Sequence, residues 1–366
     1  MKQNLYNRNR RISRTVSVGG VYIGGNSPIT VQSMTNTDTA DSAATIEQIK
    51  RLESAGCDIV RITVPNVDSA DTIKKIKAAG IKIPVVADIH FDYKVALASI
   101  AAGVDKVRIN PGNIGGDEKV REVAFAAAGA GVPIRIGVNG GSLEKHILEK
   151  YGSPTAEALA ESALYHAELL RKHAFEDIVI SIKSSSVKEM IGANRILARD
   201  TEYPLHIGVT EAGRKGEGTL KSAIGIGSLL CDGIGDTVRV SLTADPVEEI
   251  SAARDILRAC GALENPGMTV VSCPTCGRTK IDLIGLAERF ETAAKESGIY
   301  DLPIKVAIMG CAVNGPGEAR EADIGIAGGN GEALLFRHGE IIRKIKEDAV
   351  IDTLIGEIKA MTAHGE

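Results

Sequence analysis

The chain has 366 residues, 44% of them hydrophobic and 25% charged, which is enough to bury a sizeable core and excludes disorder; the length suggests about two domains. Its formal net charge of −4 gives no reason to expect nucleic acid or an anionic membrane, so an anionic ligand would have to meet a local concentration of positive charge. No run of apolar residues is long enough to span a membrane, and the basic start, residues 1–11, lacks the apolar stretch of a secretory signal and reads as a solvated arm.

In chain order, Arg14–Val18 and Val21–Gly24 alternate around Gly19 and Gly20, which predicts a hairpin. Eight short β-rich runs follow: Ile29–Met34, Ile59–Val64, Ile83–Ile89, Lys106–Asn110, Pro133–Val138, Ile178–Lys183, Pro204–Thr210 and Thr237–Leu242. Segments rich in Ala, Lys and Glu separate them, such as Asp68–Ala79 and Thr155–His173, the latter opened by Ser153 and Pro154 as cap and first turn. This succession predicts an α/β fold, a (β/α)8 TIM barrel whose lower end the hairpin plugs, with a doubly wound sheet as the alternative.

Side chains alternate across a strand, so each run also assigns faces. Arg61 and Thr63 share one face of the second run. The third run sets Asp88 with His90, and the fourth sets Lys106, Arg108 and Asn110 together. Further on, the shared faces carry Arg135, Gly137 and Asn139; Ser181, Lys183 and Ser185; His206 and Thr210; and Thr237, Arg239 and Ser241. The outer face of a barrel packs under helices and must be apolar, so the polar faces line the lumen. Arg61, Arg108, Arg135, Lys183 and Arg239 then share one enclosed space, and Asp88 with Glu211 cannot neutralise them. Burying unpartnered cations together is costly, and a polyanionic ligand such as a diphosphate resolves it, since phosphates suit arginine forks. Pairing with helix-borne carboxylates is the competing account for any single arginine. Asn110, Asn139, Ser184, Ser185 and Glu211 fall at the C-terminal strand ends, where barrel enzymes do their chemistry.

Arg214 and Lys215 read as part of a mobile loop at the barrel mouth, and Cys57, Cys231 and Cys260 as small buried apolar residues. A helix over Asp245–Leu263 closes the barrel, and residues 264–267 form a linker, so the predicted domains are 1–263 and 264–366. The second reads as a compact α+β unit. A strand ends at Val271, a helix covers Lys280–Ser297, strands cover Ile304–Met309, Ala322–Gly328 and Glu332–Arg337, and a helix covers Val350–Thr362. Cys273, Cys276 and Cys311 stand in loops rich in Gly and Pro and look like soft ligands of one metal centre, with Glu318 the nearest candidate for a fourth position. A structural zinc site and a redox thiol pair are the competing readings. A four-thiolate zinc would want a second Cys-x-x-Cys pair, and none follows.

Cys273–Arg278 and Gly310–Glu318, with Val107–Asn113, Arg135–Asn139 and Thr210–Gly213, resemble the bacterial 4-hydroxy-3-methylbut-2-en-1-yl diphosphate synthase family of the non-mevalonate isoprenoid route, over nearly the whole chain. The resemblance implies a [4Fe-4S] cluster held by Cys273, Cys276, Cys311 and Glu318. It also implies 2-C-methyl-D-erythritol 2,4-cyclodiphosphate as substrate, its diphosphate meeting Arg61, Arg108, Arg135, Lys183 and Arg239. Asp88, His90, Asn110, Asn139 and Ser185 complete the expected substrate contacts, and Glu211 is the implied acid/base. Also implied are a homodimer, in which one subunit's cluster domain closes over the other's barrel, and reduced flavodoxin or ferredoxin as electron donor. The cytoplasmic location is instead read from the six cysteines, three of them gathered in one place, which fit a reducing compartment better than a disulfide framework. Without the resemblance, a barrel acting on a phosphorylated or pterin-like substrate, carrying a zinc domain, is the rival. A cluster carrier is the non-enzymatic rival, and it has no need of the lumen cations.

Overall fold

The computed structural model describes residues 10–263, 267–312, 317 and 319–363, so Glu318 and most of the expected linker lie outside the described residues. The chain divides into two compact units, Met1–Glu264 and Asn265–Glu366.

The first unit opens with β1 (Val16–Val18) and β2 (Val21–Ile23), an antiparallel hairpin turned by Gly19 and Gly20 at φ of 54° and 91°. Eight parallel strands then close into a barrel: β3 (Thr30–Met34), β4 (Ile59–Thr63), β5 (Val85–Asp88), β6 (Lys106–Ile109), β7 (Ile134–Asn139), β8 (Ile178–Lys183), β9 (Leu205–Ile207) and β10 (Thr237–Val238). The expected (β/α)8 barrel is therefore present. Residues facing away from the lumen, among them Val60, Ile62, Val107, Ile109, Ile134, Ile136, Ile180 and Ile207, join the surrounding helices in one apolar cluster. Val16, Val18 and Ile23 pack instead on Ile59, Val86 and Val179, so the hairpin seals the N-terminal end of the lumen. Each such fully buried side chain contributes roughly 1.5–3 kcal/mol.

Several helices start where short polar side chains can accept the first free N–H groups. Asp41, Asp92, Ser186 and Asp245 cap in this way, and Pro246 sits in the first turn of Pro246–Ala259. One expected start is corrected. Thr155, not Ser153, caps the helix Ala156–Arg171, its hydroxyl accepting from the Ala158 N–H at 3.3 Å. Another is overturned, because Lys215 begins the helix Lys215–Cys231 and its ammonium pairs with Glu248 at 2.7 Å, so no loose loop holds it.

The last two barrel strands are shorter than the runs Pro204–Thr210 and Thr237–Leu242. Beyond Ile207 and Val238 the two segments stay close, the Arg239 backbone N–H donating to the Ile207 carbonyl at 3.1 Å. A Cβ on Gly208 would stand 2.3 Å from the Arg239 carbonyl oxygen, so this approach needs glycine.

The second unit is a five-stranded sheet in sequence order: β11 (Thr269–Ser272), β12 (Lys305–Met309), β13 (Ile324–Gly328), β14 (Glu332–Arg337) and β15 (Glu340–Lys346). The first three strands run parallel and the last two complete antiparallel pairs. One face packs under the helices Leu283–Glu296 and Val350–Ala363 through Phe290, Ile308, Ile326, Leu335, Leu354 and Ile358. Asp282 caps the first of these helices, which therefore starts at Leu283 and not at Lys280. β15 was not expected: every residue but Ile345 is exposed, so its alternation carries no burial signal.

Candidate functional site

Asp88, at the C-terminal end of β5, is the hub of the lumen. Its neighbours in the sheet, β4 and β6, bring Arg61 and Arg108 to either side. The Arg61 Nε stands 3.4 Å from Asp88 Oδ2, and the Arg108 Nη1 donates to Oδ1 at 2.9 Å. All three are buried. Burial pushes the Asp88 carboxyl up, but Arg61, Arg108, Lys183 and Arg135 together outweigh it and hold the group well below the usual carboxylate range. Arg61 also donates to the Met34 sulfur, and Arg108 Nη2 to the Gly137 carbonyl at 3.1 Å. A Cβ on Gly137 would fall 2.2 Å from Arg108 Nε, so the glycine of β7 leaves the space this guanidinium occupies.

Arg135, the next lumen residue on β7, is fully buried, and its three guanidinium nitrogens meet no hydrogen-bond partner among the described residues. Lys106 Nζ is in the same position. Burial first, then repulsion from Arg61 and Arg108, works against the Arg135 charge; Lys106 is depressed by burial and by Arg135. His206 is driven toward neutral imidazole by burial and by Arg135 and Lys106. Burial, with Arg108 and Arg61, pushes the Lys183 ammonium down to about 7, against the pull of Asp88. Arg61, Arg135, Ser181, Lys183, His206 and Arg239 line a cavity at this end of the barrel.

A second carboxylate enters from the helix Pro246–Ala259. Glu249 is buried; its Oε1 lies 3.5 Å from Arg239 Nη2 and accepts the Leu242 N–H at 3.0 Å, while Oε2 accepts the Ser33 hydroxyl at 3.1 Å. For Arg239, then, the competing account of a helix-borne partner holds in part. Lys106, His206 and Glu249 were not among the candidate site residues, although the face alternation had already put the first two in the lumen. Even with Glu249 counted, Arg61, Lys106, Arg108, Arg135, Lys183 and Arg239 face two carboxylates.

The remaining candidates stand around the mouth. Asn110 is buried, and its Oδ1 accepts from the Gly112 N–H at 3.1 Å. His90, Asn139, Ser185 and Glu211 are exposed. Asn139 is occupied by its own turn, accepting from Gly141 N–H at 3.1 Å. Glu211 has φ of 53°, in the left-handed region where a non-glycine residue is strained, a conformation common at functional positions.

In the second unit, β11 and β12 lie side by side with Ser272 opposite Ile308, so Cys273 and Cys311 follow the same end of neighbouring strands. The loops are tied together: Gly310 N–H donates to Cys273 Sγ at 3.2 Å, and Lys280 N–H to the Gly310 carbonyl at 3.2 Å. Cys276 N–H donates to Thr279 Oγ1 at 3.2 Å. Cys276 is exposed, and the Arg278 N–H and side chain lower its thiol pKa. Among the described residues no three His, Cys, Asp or Glu side chains form a single-ion site. The donor chemistry nevertheless fits an iron–sulfur group: soft thiols from two hydrogen-bonded loops, one sulfur already accepting a backbone N–H of the kind that tunes such clusters.

The GcpE TIM-barrel domain model matches residues 13–254, and the model of the GcpE protein C-terminal domain matches residues 269–360. The chain belongs to the GcpE family. A relative from Clostridium acetobutylicum is 58% identical over 349 residues, covering 95% of this chain and 99% of its own. Another, from Clostridium perfringens, is 56% identical over 96% of this chain and all of its own length. Both are named 4-hydroxy-3-methylbut-2-en-1-yl diphosphate synthase (flavodoxin). Among solved structures, a type I 3-dehydroquinate dehydratase from Clostridium difficile shares 14% identity with a TM-score of 0.51, over 68% of this chain and 98% of that one, which is a likeness of fold alone.

Proposed function

We infer that this GcpE-family chain performs the reaction for which its relatives are named, the reductive ring opening and dehydration of 2-C-methyl-D-erythritol 2,4-cyclodiphosphate to 4-hydroxy-3-methylbut-2-en-1-yl diphosphate. Two electrons and two protons enter, one C–O bond to the ring phosphate breaks and one water leaves. The observation that carries the substrate class is Arg135, buried and without a partner among the described residues, in a lumen where six basic groups face two carboxylates. A doubly phosphorylated ring supplies the missing negative charge, and its fixed diphosphate orients the carbons that react.

In this reading Arg61, Arg108, Arg135, Lys183 and Arg239 grip the diphosphate. Asp88 holds two of the guanidinium groups in place before the substrate arrives. His90, Asn110, Asn139 and Ser185 meet the ring at the mouth, and Glu211 moves a proton there. Cys273, Cys276 and Cys311, with Glu318 as the fourth donor, would hold a [4Fe-4S] cluster. When bound, the cluster supplies electrons singly, received from reduced flavodoxin or ferredoxin. Residues 1–263 are thus the substrate domain and 264–366 the cluster domain. The reading extends to a homodimer, which sedimentation of the holoprotein checks.

The deciding experiment is anaerobic purification with iron and sulfide counting, then turnover with dithionite and the cyclic diphosphate followed by mass spectrometry. About four irons and four sulfides per chain, lost together with product formation when a chelator strips the metal, are expected. Zinc without sulfide would sink the cluster.

The pH dependence of anion binding follows from Lys183. Its ammonium titrates near 7 in the ligand-free lumen, so above that pH an arriving anion has to recharge it. Inorganic diphosphate should therefore bind up to about tenfold more weakly for each pH unit above 7 until the ligand-bound pKa is reached. Because the folded pKa lies below the unfolded one near 10.4, the ligand-free fold gains stability from this group as pH rises from 7 toward 10. Lys183→Arg keeps the charge and controls for ionisation of the ligand itself. Titration calorimetry showing the same slope in both proteins would remove Lys183 from the site.

A further inference from the structure

Two cysteines lie outside the candidate site. Cys231 ends the helix Lys215–Cys231, and Cys260 caps the C-terminus of the neighbouring helix Pro246–Ala259. Contrary to the expectation of a buried apolar role, Cys231 is exposed and Cys260 half-buried. The Cys260 Sγ lies 3.9 Å from the Gly227 carbonyl oxygen, one helical turn before Cys231 and on the same helix face. The sulfur packs against this turn of the helix, 3.5 Å from where a Cβ on Gly227 would stand, which is ordinary van der Waals contact. The Gly227 carbonyl is the one that the helix offers to the Cys231 N–H four residues on, so the Cys260 sulfur lies beside the backbone of Cys231.

We propose that Cys231 and Cys260 form a peroxide-oxidised dithiol, a modification site that closes to an intramolecular disulfide. The exposed Cys231 thiolate attacks one oxygen of hydrogen peroxide; its sulfur becomes a sulfenic acid and hydroxide leaves as water. The Cys260 sulfur then attacks the sulfenic sulfur, and the hydroxyl departs with the Cys260 proton as a second water. In sum, two thiols and one peroxide give one disulfide and two waters. Burial and the neighbouring Cys231 hold the Cys260 thiol up at about 11, which keeps it protonated and leaves the first attack on peroxide to Cys231; Cys260 attacks only as its proton leaves with the departing hydroxyl. The bond would fasten together the two ends of the β/α unit that carries β10, Arg239 and Glu249, and thiol reductants would reopen it.

The test exposes the anaerobically prepared holoprotein to hydrogen peroxide, blocks free thiols with N-ethylmaleimide and maps peptides without reduction. Trypsin is combined with a protease cutting after glutamate, because cleavage after Glu264 separates Cys260 from Cys273. The expected product is a Cys231–Cys260 linked peptide that dithiothreitol removes, with Tm several degrees higher in the linked form. In Cys260→Ser, Cys231 should instead be trapped by dimedone as the sulfenic acid, severalfold more than in the parent protein. Recovery of both cysteines as maleimide adducts, or Cys231 joined only to another chain, overturns the proposal.

Discussion

Arg135→Met is expected to give a protein that resists heat better than its parent and binds inorganic diphosphate about a hundredfold more weakly. The guanidinium of Arg135 is buried, meets no hydrogen-bond partner among the described residues and lies near Arg61, Arg108 and Lys106. Replacing a buried charge with an apolar side chain of similar length removes desolvation and repulsion, and such exchanges are often neutral or stabilising by about 1–4 kcal/mol. In a unit of this size that is a Tm rise of several degrees. The same change removes the charge-assisted hydrogen bonds a phosphate would accept, each worth about 1.5–3 kcal/mol. Opposite signs for stability and binding are the mark of a group kept for its ligand. Differential scanning calorimetry and titration calorimetry read the two effects. A lowered Tm with unchanged affinity would mean that Arg135 serves the fold and not the anion.

What the sequence made legible follows from period. Alternation across a strand put Arg61, Asp88, Arg108, Arg135, Lys183 and Arg239 on one side, and closure of the barrel turned that side into an interior. Register is not contained in alternation. That Asp88 lies between Arg61 and Arg108, as the shared hub of two ion pairs, depends on how β4, β5 and β6 are staggered, which only packing decides. Glu249 was missed for a related reason. An acidic residue in the first turn of a helix ordinarily faces water, and nothing local distinguishes one that turns inward to Arg239. Lys106 had been put on the lumen face but not counted among the cations, and it proves to be one of the most deeply buried. The left-handed backbone at Glu211 is likewise set by the segment beyond β9, where the ladder ends earlier than the apolar run suggests. In the second unit the parallel order of β11 and β12 brings together thiols whose motifs stand more than thirty residues apart in the sequence. The pairing of Cys231 with Cys260 had no motif at all to announce it.

Asp88→Asn should have the largest effect on stability. Its carboxylate answers both Arg61 and Arg108, and removing one partner of a buried ion pair costs about 3–5 kcal/mol because the other charge stays buried and unanswered. Here two guanidinium groups are left in that state, so Tm should fall by roughly 10 °C or more. The pH dependence has a definite sign. The Asp88 carboxyl is held below its ordinary range, so its contribution is present above the unfolded value near 3.9 and is lost as pH falls through the folded value. The parent barrel should therefore weaken in acid by a step that Asp88→Asn does not show. Ligand rescue separates an electrostatic role from mere packing. An anion in the lumen restores negative charge beside Arg61 and Arg108, so saturating inorganic diphosphate should raise the Tm of Asp88→Asn more than that of the parent. Equal shifts in the two proteins, or a variant as stable as the parent without ligand, would show that these arginines find their neutralising charge elsewhere, and the case for a diphosphate in this lumen would fail with it.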